Sequence, residues 1–282
     1  MENETQRKRA ERFRALHERR DGAPMLVLPN IWDAASARII EQAGFPAVAT
    51  TSGGVAAALG YADGQRMSRQ TMLDAIARIT RVVGCPVSAD FEAGYGDSLA
   101  EQVASVEAVI ATGVVGVNIE DSLPGQHGKL AEIAAQAELI AALRALATRL
   151  GVPFVINARV DVFLRSEGEP AEQFAQAVER ANAYLRAGAD CVYPIGWLDA
   201  ETIGRLVAAI EGPINIMGGG QGPTLPELAR LGVARVSLAS GVMRAALGHI
   251  RAIARELLAT GGYETLTRDA LTGAELGALF GE

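Results

Sequence analysis

Short β-branched runs recur eight times along the chain, each separated from the next by a segment rich in Ala and Leu: MLVLPN (25–30), AVATTS (47–52), PVSADFE (86–92), VGVNIED (115–121), PFVINARVD (153–161), CVYPIG (191–196), PINIMGG (213–219) and RVSLAS (235–240). The intervening segments, such as AASARIIEQAG and EQFAQAVERANAYLRAGA, have helical period and close on Gly, as a helix C-cap does. Strands with little polar alternation, joined by helices, belong to a parallel sheet covered on both faces. Eight such units predict an α/β fold, a (β/α)8 TIM barrel. No linker tract divides residues 1–282, so one barrel domain is expected, with an N-terminal helix and further helical elements appended from Gly261. GGGQG (218–222) lies at the seventh unit, where a dinucleotide loop would sit at the first.

A net charge of -7 repels phosphate backbones and anionic lipid, and the basic N-terminal run RKRAERFRALHERR is broken by Glu and apolar residues. No nucleic-acid or membrane partner is expected. Without a signal-like apolar stretch, the reading is a cytoplasmic protein. Cys85 and Cys191 each begin a strand and read as small buried hydrophobes.

The C-terminal ends of barrel strands carry the chemistry. Here those ends gather Ser52, Gly53 and Gly54 after strand two, Asp90 and Glu92 at strand three, Glu120 and Asp121 at strand four, and Asn157, Arg159 and Asp161 at strand five, with Asp63 in the loop after strand two. On a strand, Asp90 and Glu92 point the same way, and like charges side by side call for a cation. An oxygen-rich set suits Mg2+, or Mn2+, which keeps several waters so that only one or two carboxylates touch it. Arg159 offers a planar fork for a substrate carboxylate, and the glycines let a small ligand approach the backbone. Each feature has a plainer reading: carboxylates as helix caps, Arg159 in an ion pair with Asp161 or Glu120, the glycines as a turn. The segment EDSLPGQHGKL (120–130) reads either as a solvated connection or as a lid, with Ser122, His127 and Lys129 as candidate proton donors.

The motifs LPNIWDAASARIIEQAGFPAVATTSGG, LGYADGQ, SADFEAGYG, VNIEDS and INARVD together resemble the isocitrate lyase and phosphoenolpyruvate mutase superfamily, in particular its phosphonomutase-like bacterial branch. The resemblance implies that Asp90 binds Mg2+ directly, that Asp63, Glu92 and Glu120 hold its waters, that Ser52, Gly53 and Gly54 bind the 2-oxo acid end of the substrate, and that Arg159, with Asn157 beside it, holds the rest. It also implies a last helix exchanged between subunits of a homo-oligomer, a dimer or tetramer.

The same comparison marks departures. Glu92 stands where many members carry Asp. The lid lacks the Lys-Lys/Arg-Cys-Gly-His motif, which argues against isocitrate and methylisocitrate lyase activity. It also lacks the Lys-Thr-Asn segment of the mutases, and Pro194 stands at the place of their strand-six histidine. The expectation is a lyase-type enzyme that breaks a carbon-carbon bond of a small 2-oxo or 2-hydroxy (di)carboxylate through an enolate. Phosphorus-carbon chemistry and non-catalytic binding of a 2-oxo acid are the alternatives.

Overall fold

All eight runs form parallel strands, and the first is split in two by Pro29. The computed structural model describes residues 2–18, 24–126, 128–165 and 168–281. The strands are β1 Leu26–Leu28, β2 Asn30–Ile31, β3 Val48–Thr50, β4 Val87–Asp90, β5 Gly116–Glu120, β6 Val155–Val160, β7 Cys191–Pro194, β8 Asn215–Met217 and β9 Arg235–Ser237. Proline has no N–H for the ladder, so pairing breaks at Pro29 while its carbonyl still accepts from the Ala49 N–H.

The pairing order closes on itself. One sheet runs β2-β3-β4-β5-β6-β7 and the other β1-β9-β8. They join across Pro29 at one side, and at the other through the parallel bridge of Val192 to Ile214. The register stacks inward-facing residues in layers: Asp90 opposite Asn118, Asn118 opposite Asn157, and Glu120 opposite Arg159 opposite Tyr193.

Outward-facing strand residues such as Val117, Ile156, Val192 and Val236 pack under the helices in one large core. A smaller apolar cluster, Ala10, Phe13, Leu26, Leu28, Ala47, Ala49, Val115 and Val155, seals the bottom of the barrel. The helix Glu2–His17 supplies that plug. Its Phe13 ring lies so close to Gly116 that an added Cβ there would meet it at 2.8 Å.

The last long helix, Gly241–Thr260, is set apart from the barrel wall: Met243 is its one buried residue among those described, and Leu247, Ile250 and Leu258 are exposed. Beyond it the chain returns to the helix Ala34–Gln42, where Arg38 Nε donates to the Leu279 carbonyl. No helix among the described residues is long and apolar enough to cross a membrane.

Candidate active site

Asp90, the last residue of β4, is held from three sides. Its Oδ2 accepts from the Ser52 N–H at 2.8 Å and the Ser52 Oγ at 2.7 Å. Its Oδ1 accepts from Asn118 Nδ2 at 2.8 Å, and Asn118 in turn accepts from Asn157 Nδ2 at 2.6 Å. Ser52 donates from its backbone because it opens a short helix, Ser52–Ala58, capped by Thr51, and first-turn N–H groups have no partner within the helix. Asn157 is fully buried, and it touches the site only through Asn118.

Gly53 has a specific reason to be glycine: an added Cβ would stand 2.9 Å from Asp63 Oδ2. The missing side chain lets Asp63 close over the start of the helix. Gly54 packs instead against Thr51 and Trp32.

Glu92 departs from the strand geometry expected of it. β4 ends at Asp90, and Glu92 takes a left-handed backbone, φ 51°, at the start of the turn. Its side chain accepts from Tyr95 Oη and the Gln65 N–H. Two cavities lie at this end of the barrel. A cavity of about 350 Å³ is lined by Ser52, Gly53, Asp63, Asp90, Asn118 and Arg159 on one side and by residues after β7, β8 and β9 on the other. A second, of about 280 Å³, lies under the 122–129 loop and is lined by Glu92, Glu120, Ser122 and Lys129; Asp63 and Arg165 line both.

The acids divide by partner. Arg159 donates from Nε and Nη2 to both oxygens of Asp161 and pairs with Glu120 at 2.7 Å. Asp161 also accepts from Ser122 Oγ. Asp121 is fully buried with Arg180, Tyr184 Oη and the Asp161 N–H, away from either cavity. Asp121 and Asp161 are therefore framework, held in buried ion pairs rather than as the helix caps of the plainer reading.

The carboxylates nearest Asp90 are shifted by their surroundings. Burial, then the charge of Asp90, raises Asp63. Burial raises Glu92 to about 7, with Asp90 and Asp63 adding to it against the pull of the Tyr95 hydrogen bond. Burial raises Glu120 as well, against the opposing charge of Arg159. Among the described residues no three His, Cys, Asp or Glu side chains converge to hold a metal by themselves. The oxygen-only set around one anchored carboxylate suits a hard cation that keeps most of its waters.

The 122–129 loop folds back on itself: Ser122 bridges Leu130, and the Leu123 N–H donates to the Lys129 carbonyl. Lys129 is exposed at the rim of the second cavity, while Ser122 is buried against Asp161. His127 lies outside the described residues. Sequence reasoning missed Tyr95, Asn118, Tyr193, Trp197, Gly218–Gly220 and Arg235, all at or beside the cavities. The glycines of GGGQG line the larger cavity, and Trp197 lies over Gly220, where an added Cβ would meet its ring at 2.6 Å.

The model of the phosphoenolpyruvate phosphomutase family matches residues 13–258. The chain belongs to that family, within the isocitrate lyase and PEP mutase superfamily. A solved structure from Burkholderia cenocepacia J2315 is 37% identical and covers 99% of this chain and 98% of its own, with a TM-score of 0.89. The 2-methylisocitrate lyase of Escherichia coli (strain K12) is 32% identical over 68% of this chain and 64% of its own length. Oxaloacetate acetylhydrolase, solved with its product oxalate, is 28% identical, with a TM-score of 0.84 and coverage of 97% and 94%. Superfamily members are lyases and mutases acting on small acids, and this chain is an enzyme of that broad kind.

Proposed function

We propose that the chain is a Mg2+-dependent lyase that breaks the bond to C3 of a small 2-oxo or 2-hydroxy (di)carboxylate. The observation that carries this is Asp90: one carboxylate fixed by Ser52 and Asn118, ringed by Asp63, Glu92 and Glu120, whose affinities for protons are raised by burial and by one another's charge. Mg2+, or Mn2+, bound there would act as a Lewis acid on the oxygens of the 2-oxo acid. Asp90 would be its direct ligand, and Asp63, Glu92 and Glu120 would hold its waters.

The protein's own groups do the rest. Ser52 Oγ and the backbone beside Gly53 face the 2-oxo acid end, where negative charge develops on oxygen as the bond to C3 breaks. Arg159 is held by Asp161 and Glu120, and its remaining N–H groups would take the substrate carboxylate. The 122–129 loop keeps water from the reacting carbon, and Lys129 or His127 returns a proton to it. The lid contains no cysteine, which argues against the 2-methylisocitrate lyase activity that several of its relatives carry. Carbon-carbon cleavage of a 2-oxo dicarboxylate of the oxaloacetate kind is the chemistry favoured. The exposed apolar face of Gly241–Thr260 is the surface we assign to helix exchange in a homo-oligomer.

The test is a screen of small 2-oxo and 2-hydroxy acids for thermal stabilisation with and without Mg2+, followed by product analysis of the hits. Mg2+-dependent stabilisation with release of a 2-oxo acid fragment is expected. Stabilisation without turnover of any acid makes the protein a binder, and turnover of phosphonopyruvate alone moves it to phosphorus-carbon chemistry.

A further inference from the structure

Arg235 is a buried cation without a countercharge beside it. It sits at the start of β9, is 1% exposed, and lines the larger cavity. Among the described residues no carboxylate oxygen lies within 4.0 Å of its nitrogens. The one carboxylate whose charge reaches it is Asp90, from across the barrel.

Its protein partners are neutral and long. Nε donates to Ser237 Oγ at 3.3 Å, and Nη1 lies 3.4 Å from His17 Nε2. His17 Nδ1 is 2.8 Å from the Phe13 carbonyl, which assigns its proton to Nδ1 and leaves Nε2 as an acceptor. Among the described residues no carboxylate pairs with the guanidinium from the plugged end of the barrel.

Two hydroxyls beside the same cavity are also unsatisfied. Tyr193 Oη and Ser88 Oγ are buried, line the cavity, and have no hydrogen-bond partner among the described residues. A buried guanidinium stays charged and a buried hydroxyl needs a partner, so a charge met only by neutral groups beside two unpaired hydroxyls is unfavourable unless something else fills the space. A guanidinium fork with two hydroxyls matches the two oxygens of a carboxylate.

Resting on the function proposed above, we propose that Arg235, Tyr193 and Ser88 form an anion-binding floor that takes the second carboxylate of a dicarboxylate substrate, while Ser52 and Asp90 hold the 2-oxo acid end. The substrate then spans the barrel from the β3–β4 side to β9. Its middle passes the apolar wall of Ile195, Met217 and Leu238.

Matched acids test this by calorimetry with Mg2+ present: oxaloacetate against 2-oxobutyrate, and 2-oxoglutarate against 2-oxopentanoate, each pair differing in the distal carboxylate. In the wild type at least one dicarboxylate should bind tenfold or more tightly than its partner. Arg235→Met should erase that preference while the monocarboxylates keep their affinity within about threefold. Tyr193→Phe, which removes no protein hydrogen bond, should lower the preference without lowering Tm, and it decides the matter together with Ser88→Ala if Arg235→Met fails to fold.

A wild type that binds oxalate and monocarboxylates but shows no dicarboxylate preference overturns the floor and leaves the function proposed above standing. So does a preference that survives the substitutions, or acetate that saturates the floor without competing with dicarboxylates. If no acid, oxalate included, binds with Mg2+, both proposals fall.

Discussion

The two halves of the barrel mouth are built on opposite terms. On the β3–β6 side the fixed charges answer one another: Arg159 meets Asp161 and Glu120, and Asp90 is clasped by Ser52 and Asn118. On the β7–β9 side Ile195, Trp197, Met217 and Leu238 surround the space above Arg235, and Trp197 is 63% exposed at the rim. The first half is preorganised by the protein alone and can hold the part that any substrate of this chemistry shares. The second half has polar groups still unmet, so its specificity depends on what the ligand brings. This is where members of one superfamily can differ in substrate without disturbing the reaction.

Breaking the preorganised half should have the largest effect. Asp90→Ala should abolish Mg2+ binding by calorimetry and lower turnover by roughly a thousandfold or more, on the scale of losing a metal's charge stabilisation. Unchanged Mg2+ affinity would place the cation elsewhere. Arg159→Lys follows, with a tenfold to hundredfold loss in 2-oxo acid affinity, about the worth of a charge-assisted hydrogen bond. It should also lower Tm, because Lys cannot span Asp161 and Glu120 together. A lower Tm with acid affinity intact would reduce Arg159 to a framework residue.

The lid sharpens the contrast, since it belongs to neither half. Lys129→Ala should reduce kcat by about tenfold to a hundredfold with substrate affinity nearly kept, as expected for a group acting only in the transition state. His127→Ala provides the comparison. If both variants turn over at the wild-type rate, the proton comes from water or from a group near Ser52.

A smaller effect is the pH dependence of the metal-free protein. Glu92 is raised by burial, and then by Asp90 and Asp63, from the ordinary 4.5 to about 7. Between those values the folded chain binds a proton that the unfolded chain has released, so stability falls as pH rises across the window and levels off above it. The loss should be on the order of 1–3 kcal/mol. Denaturant melts should show this slope in the wild type, a shallower one in Glu92→Gln, where Asp63 and Glu120 keep their raised affinities for protons, and flattening by saturating Mg2+, which favours the carboxylates. A wild type whose stability rises with pH over that range would contradict the environment described for Glu92. The least effect is expected at the thiols. Burial raises Cys85 and Cys191 to about 12, so neither should react with a thiol reagent until the protein unfolds.

The strand positions were legible because each run carries its own local signal, and even the break at Pro29 lies inside a run read correctly. The direction of Glu92 was not: period two extends a strand through SADFE, whereas the chain turns left-handed at Glu92 to enter AGYG. Asp121 looked like a site acid because its partners are distant in sequence, whereas Asp161 pairs with Arg159 two residues away, as the ion-pair reading has it. Arg180 and Tyr184 lie on the helix Pro170–Ala187, and no local pattern joins them to VNIED. Arg235 was hidden by a sound rule, that strand starts face the closed end of a barrel. β9 is three residues long, so a guanidinium rooted at its first residue still reaches the cavity.

The Phe13 plug has a consequence for the order of assembly. Its helix leaves the ribosome long before its socket: Val115 follows Phe13 by about a hundred residues and Val155 comes later still. At ~5–20 residues per second of synthesis, the wait is roughly 5–20 s or more. The ring cannot shut until β9 reaches β1, pairing Leu26 with Arg235. Closure of so long a loop is slow, and it is the same event that carries Arg235 into the interior. The interior thus gains its unpaired positive charge only as the barrel shuts, so a nascent chain held short of β9 has the acids of the mouth in place but no floor beneath them.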